Sequence, residues 1–140
     1  MSSIIQIRYN TENMNNKKIE WILRIAVAGE FIGHGMFALQ GKTSWFVYFK
    51  PFGIVDPQTI VTLLTLVGTI DLLLALLVLI RPIRIAVLWM AIWGLFTAML
   101  RWPLGPDPVW DFVERWANWG APLALLLLIG WPRSFREWLR

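Results

Sequence analysis

Hydrophobic residues in this chain come in long unbroken runs, not in the alternation of a half-buried strand or the narrow stripe of a surface helix. Three runs are plain: about Ile19 to Gln40, about Pro57 to Ile80 and about Ile83 to Arg101. Each approaches the roughly 20 apolar residues that a helix needs to cross a bilayer. Pro57 stands where a helix start tolerates proline. A fourth run, "APLALLLLIGW", is too short alone. Extended back through "VWDFVERWANWG" to about Pro108 it is long enough, with a kink expected at Pro122. A flat interfacial helix over 108–117 followed by a short steep span from about 119 fits equally well, and the pattern does not choose between them.

The connections sharpen the picture. "GKTSWFVYFKPFG" (Gly41–Gly53) is aromatic, carries two lysines and is too short to cross, so it reads as an interfacial or re-entrant segment. "RWPLGPDPVW" (Arg101–Trp110) has three prolines and a glycine and reads as a loop. "RPIR" is so short that it predicts a tight antiparallel pair of the second and third spans. No internal repeat is visible. The expected fold is all-α: a four-transmembrane-helix bundle with an interfacial segment between its first two helices. Residues 1–18 form a polar tail, 19–131 the membrane domain and 132–140 a basic C-terminus.

Composition agrees: 57% of the residues are hydrophobic and 16% charged, against about a quarter charged in soluble domains. Cysteine is absent, which removes disulfides, thiolate metal sites and thiol redox chemistry. The net charge of +4 fits lipid headgroups, not nucleic acid. Arg8, Lys17, Lys18, Arg24, Arg81, Arg84, Arg133, Arg136 and Arg140 fall on one side; Lys42, Lys50, Arg101 and Arg115 fall on the other. By the positive-inside rule both termini are cytoplasmic, in a cell inner (cytoplasmic) membrane. Tryptophans sort into two belts, Trp21, Trp131 and Trp138 on the inner side and Trp45, Trp102, Trp110, Trp116 and Trp119 on the outer.

Ionisable residues inside a bilayer cost roughly 2.5–3.5 kcal/mol each on insertion scales, so those present mark function or pairing. Glu30, His34 and Asp71 are the three here. Glu30 lies ten residues beyond Glu20, roughly 15 Å deep at about 1.5 Å per residue; Asp71 falls at nearly the same depth. His34 is one turn further along the same face as Glu30. Glu30 and Asp71 are therefore expected to meet and share a proton beneath His34. The competing reading bonds each neutral acid to a neighbour such as Thr65, Thr69 or Thr97. No metal set is expected, because only one histidine exists. Haem or chlorophyll ligation by His34 would need a second ligand or a five-coordinate site and is disfavoured. Gly29 and Gly33 form a small-xxx-small face for helix packing, joined by Gly35. Arg24 and Arg101 are expected to snorkel toward opposite surfaces, with Arg24 also able to reach inward. Asp107, Asp111 and Glu114 read as a solvated outer loop or a patch for a basic partner.

Several of these residues form a pattern. Span one carries Arg24, Ala28, Phe31 and His34-Gly35; span two reads "VGTIDLLLALLVLIRPIRIAV", with Asp71 and a turn containing Arg84; the last helix reads "ERWANWGAPLALLLL". Over roughly Ile19 to Ile129 this resembles the DoxX family (DoxX/DoxD-like) of small four-helix membrane proteins. The acid of span two is more often glutamate in that family, a glycine pair that often follows it is missing, and Glu30 stands where the family is usually apolar. The resemblance gives interest to Arg24, His34 and Asp71. It implies a small membrane subunit near quinone chemistry with no redox cofactor of its own. Together these readings predict a subunit of a quinone-linked oxidoreductase, with Glu30, His34, Asp71 and Arg24 around a quinone or proton site. The alternatives are a non-catalytic accessory or assembly subunit of a larger respiratory or photosynthetic complex, and, less favoured for want of an inverted repeat, a small transporter.

Overall fold

A computed structural model describes residues 2–139, with side chains described for 13–139; Arg8 and Arg140 of the charge count lie outside those side chains. Every regular element among the described residues is helical. In order they are α1 (Ser2–Leu39), a 3₁₀ segment (Thr43–Phe52), α2 (Pro57–Ile80), α3 (Arg84–Met99), α4 (Val109–Val113), α5 (Trp116–Leu128) and α6 (Phe135–Trp138). The first helix does not start at Ile19: it already includes Asn13–Lys18, whose side chains are exposed. The fourth run is divided. α4 is a short separate helix, Glu114 and Arg115 break the chain, and α5 runs through Pro122.

Local chemistry sets the helix ends. Asp56 caps α2, its carboxylate accepting from Thr59 N at 2.8 Å with Pro57 in the first turn. α2 stops at Arg81 because Pro82 follows. α5 is followed, after Ile129, by Gly130, whose φ of 94° glycine adopts without strain.

The helices pack in two pairs, α1 with α2 and α3 with α5, and the pairs meet through α1 and α5. The tight α2–α3 pair expected from the short "RPIR" turn does not form; the two touch only slightly. Leu64 and Val67 of α2 and Trp93 and Phe96 of α3 instead face one cavity that lies between the helices. A core of Val27, Ala28, Phe31, Ala75, Val78, Val87, Met90, Leu125 and Leu126 joins α1, α2, α3 and α5. A second, smaller core of Ala38, Trp45, Ile60 and Leu64 lies under the 3₁₀ segment.

Each pair is fixed in the same way at both ends, a repeat that the residue order does not show. Toward the loop end of the first pair, Gly35 and Gly68 bring the backbones together: a Cβ on Gly68 would lie 2.7 Å from the Gly35 carbonyl oxygen. In the second pair, a Cβ on Gly94 would collide with the carbonyl oxygen of Asn118. Pro122 has no N–H to offer that carbonyl, four residues back, so the oxygen is left facing the neighbouring helix. At the opposite end an arginine holds the partner helix by its terminal carbonyls. Arg24 Nε donates to Val78 O at 2.9 Å, and the same guanidinium also bonds Leu79 O. Arg84 Nε and Nη2 donate to Gly130 O and Ile129 O at 2.8 and 2.9 Å. Both arginines meet the negative end of a helix dipole and the carbonyls its last turn leaves unpaired. Arg24, packed on Trp21 and bonded to Glu20, is thus a cap on α2 and reaches neither inward to Asp71 nor out to the surface. Arg84 also donates to Glu137 O, which folds the C-terminal residues back as α6.

Two of the helices, Asn13–Leu39 and Pro57–Ile80, are long and apolar enough to cross a membrane, and only 33% and 28% of their apolar windows are buried. Ile22, Ile25, Leu66, Leu73, Leu76 and Ile92 all point outward. Gly29 and Gly33 also face outward, with nothing within 4 Å of a Cβ placed there. Within this chain they pack against no helix, and the close contacts belong to Gly35, Gly68 and Gly94.

The glycine contacts predict a contrast between two alanine substitutions. Gly94→Ala should lower the stability of the detergent-solubilised protein by roughly 1–3 kcal/mol, because a backbone carbonyl cannot move aside as a flexible side chain can. Gly29→Ala should change it by less than about 0.5 kcal/mol. Equal transitions for both variants in a denaturation series would disprove the α3–α5 contact.

Candidate functional site

The site grows out of the α1–α2 crossing. Where the Gly35 and Gly68 backbones touch, the neighbouring side chains are brought within reach of each other, and His34 Nδ1 lies 2.7 Å from Asp71 Oδ2. Asp71 is almost wholly buried at 1% exposure. The aspartate commits Nδ1 and sets the ring's orientation, leaving Nε2 for an external group. Trp45, delivered by the 3₁₀ segment, stacks on the imidazole at 4.7 Å between ring centroids and 28° between planes. Lys42 lies over the Phe37 ring at 4.1 Å and over Trp45 at 5.3 Å.

His34 opens onto a cavity of about 250 Å³ at the loop end of the bundle. Its wall is mostly aromatic: Trp45, Tyr48, Phe49 and Phe52 from the 3₁₀ segment, Trp93 and Phe96 from α3. Ile54, Leu64, Val67 and Leu100 add apolar surface, and Thr97, Arg101 and Arg115 are the remaining polar groups. The two loops are tied together above it. Asp107 accepts from Tyr48 Oη at 2.5 Å and from Arg101 Nη1 at 3.2 Å, and Arg101 packs over the Tyr48 ring at 5.0 Å. Arg101 also lies 3.8 Å from Asp111. Two of the three outer-loop acids therefore hold the roof in place, and Arg101 is engaged in that network, not snorkelling free. Burial and the bond to Asp107 push the Tyr48 phenol up to about 12.

The expected acid pair is not what forms. Asp71 pairs with His34, and among the described residues no hydrogen bond joins it to Glu30. Glu30 is half-buried on α1, close enough to Arg115 and Asp71 to feel both charges, but it does not line the cavity. The threonines do not serve the acids either: Thr65, Thr69 and Thr97 each bond a carbonyl of their own helix. Arg24 sits at the other end of the bundle. Of the four pocket residues expected from sequence, only His34 reaches the cavity, with Asp71 directly behind it. No cluster of three or more metal-ligating side chains occurs among the described residues.

Most of the wall escapes a reading based on charge. One signal for it exists in α3, where Trp89, Trp93 and Phe96 recur at helical spacing and stack along one face, with centroids 6.1 and 5.6 Å apart. Nothing in the order of residues shows that the 3₁₀ segment folds back over His34. Three buried N–H donors have no hydrogen-bond partner and belong to wall residues: Trp45 Nε1, Trp93 Nε1 and Arg115 Nε. Each such group costs roughly 1–3 kcal/mol while unpaired. In these terms the site can hold a flat apolar body and meet its polar atoms through His34, whose Nε2 can donate or accept.

No protein-family model, curated protein or solved structure matches the chain.

The roof makes a pH prediction. Tyr48 is held neutral, so its contribution to stability is fully present below about pH 10, the ordinary tyrosine value, and is lost as pH rises toward 12. In a Tyr9→Phe background the tyrosinate absorbance should titrate near 12, and Asp107→Asn should lower that midpoint. A midpoint at the ordinary value in the parent would show that the roof contact is absent.

Proposed function

We propose that the chain is a four-helix integral membrane protein whose loop-end cavity binds a quinone-class ligand, as a small subunit serving a quinone-linked oxidoreductase. The observation that carries this reading is the His34–Asp71 pair at the wall of an aromatic cavity. A planar dicarbonyl ring suits flat aromatic walls. Histidine in its imidazolium form donates from Nε2 to a quinone carbonyl oxygen. When a partner subunit supplies electrons to the ring, that proton passes to the oxygen, and Asp71 keeps hold of the Nδ1–H of the imidazole left behind. The DoxX-like pattern supports the reading through His34 and Asp71, the two of its three marked residues that meet.

The outward apolar faces support the membrane setting, since soluble monomers rarely expose apolar surface at this extent. α1 and α2 are long and apolar enough to cross unaided. α3 and α5 are shorter, with 16 and 13 residues. They cross with help from their flanking aromatic and arginine residues and from local thinning of the bilayer. The cavity then opens near the outer surface, and Arg24, Arg84 and both termini lie on the cytoplasmic side of the inner membrane. A second reading, an accessory subunit packed in a larger membrane complex, has one observation in its favour. The Gly29–Gly33 face is open on the outside of α1, where a helix of another subunit could approach closely.

Calorimetric titration of the detergent-solubilised protein with menadione should show saturable binding. His34→Ala should weaken it about tenfold or more, the loss of one charge-assisted hydrogen bond. Asp71→Asn should weaken it less. Arg24→Gln should leave affinity unchanged while lowering thermal stability, since Arg24 caps a helix far from the cavity. Absence of saturable binding by the unmodified chain, or undiminished binding by His34→Ala, rejects the quinone reading.

A further inference from the structure

We infer that residues 131–139, together with Arg81, form a surface for anionic phospholipid that seats the arginine-capped end of the bundle on a negatively charged leaflet. The inference rests on the membrane reading above and is independent of the cavity's ligand. What carries it is how the cations at the two ends are partnered. At the loop end Arg101 pairs with Asp107 and Asp111, Arg115 lies 3.6 Å from Glu114, and Lys42 sits over two aromatic rings, which leaves Lys50. Charge there is balanced: Lys42, Lys50, Arg101 and Arg115 stand against Asp56, Asp107, Asp111 and Glu114. At the opposite end Lys17, Lys18, Arg81, Arg133 and Arg136 are all exposed. Among the described residues no carboxylate pairs with any of these side chains. The described acids at that end are already engaged, Glu20 with Arg24 and Glu137 with the backbone N–H of Arg133.

Apolar side chains are interleaved with these charges. Phe135 is 77% exposed, and Trp131 and Leu139 also point outward. The segment that carries them is held against the bundle. Arg84 Nη1 donates to the Glu137 carbonyl at 3.1 Å, Glu137 Oε2 accepts from Arg133 N at 2.8 Å, and Trp131 meets Trp138 edge-on with centroids 5.6 Å apart. Rings and guanidinium groups fixed side by side match neither water nor hydrocarbon. They match the headgroup layer, where rings lie at the acyl boundary and guanidinium groups meet phosphate oxygens. The outward apolar faces lead to this layer: Ile22, Ile80 and Ile85 are exposed on α1, α2 and α3 near the same end. A bilayer that covers them brings its headgroups to Arg81 and to residues 131–139. Zwitterionic lipid would accept the rings equally well. The unmatched positive charge is what specifies anionic lipid, because each Lys or Arg near a negative surface adds an attraction that salt weakens.

The chain has no cysteine, so one introduced cysteine takes a label at a chosen place. Phe135→Cys carrying a bimane fluorophore, in the full chain reconstituted into vesicles, reports on the patch. Leu73→Cys, on the outward face of α2, reports on the lipid-facing wall. Brominated phosphatidylglycerol and brominated phosphatidylcholine are compared as quenchers at equal mole fraction. Both lipids should quench both labels, and at the Leu73 site they should do so alike. At the Phe135 site phosphatidylglycerol should quench about twofold more strongly or better, and about 0.5 M sodium chloride should shrink that ratio. Arg81→Gln with Arg133→Gln and Arg136→Gln should bring the ratio near one without moving the thermal transition, since these side chains hold no partner within the fold. Lys50→Gln, at the loop end, should leave the ratio as it was. Quenching at the Leu73 site but not at the Phe135 site, equal quenching by both lipids at Phe135, or a ratio unchanged in the arginine variant overturns the inference and leaves the membrane reading standing. No quenching at either site overturns both. Release of the Phe135 label from lipid by soluble polyglutamate assigns the patch to an acidic protein and overturns the lipid assignment.

Discussion

The contact of backbone on backbone at Gly35 and Gly68 is what the candidate site depends on. Two helices carrying ordinary side chains sit 8–10 Å apart. Glycine on both sides removes the spacer, and the short side chains flanking the contact can then bridge the gap. Asp71 is one turn along α2 from Gly68, and His34 precedes Gly35, so the close crossing and the His34–Asp71 bond are one event in the geometry. A larger residue at either glycine would push α1 and α2 apart and separate imidazole from carboxylate, whatever the identity of the residues themselves.

The arginine caps at the other end complete the constraint. A helix pair pinned at one point can still splay. Arg24 on the α2 terminus and Arg84 on the α5 terminus pin each pair a second time. They do so with a group whose charge is matched to the helix dipole and whose donors are matched to unpaired carbonyls. The same arrangement satisfies both sides: the guanidinium is kept hydrogen-bonded, and the terminal carbonyls of each helix find donors. With both pairs held internally, the slack falls between α2 and α3, and the cavity occupies it.

The cavity is thus a consequence of how the two pairs meet, and the loops finish it. The 3₁₀ segment brings aromatic rings over the opening, and Asp107 ties it to the second loop through Tyr48 and Arg101. Acids stand behind the wall, and its surface is mostly aromatic and aliphatic. That gives the space its chemical character: flat and apolar, with His34 as its titratable group.

Much of this was legible in the residues. Pro57 after Asp56 and the "RPIR" break determine both ends of α2 and the start of α3, because helix starts and stops are local matters, whereas the apolar runs did not show that α1 begins before Ile19 or that the last run divides into α4 and α5. The cost of an ionisable group in apolar surroundings also marked His34 and Asp71 without any structure. Pairing was different. Glu30 and Asp71 are matched in depth, yet depth is one coordinate, and the rotation of each helix about its axis decides which side chains face each other. Gly29 and Gly33 have the spacing of a packing motif but lie on the outward side of α1, while Gly68 and Gly94 pack tightly with no motif to announce them. Whether Arg24 reaches inward, caps a neighbour or snorkels depends on where the carbonyls of α2 end in space. Sequence alone determined the elements and their chemistry, through interactions a few residues long. The tertiary structure decided the partners, because helix rotation and crossing are set by close packing summed over the whole bundle.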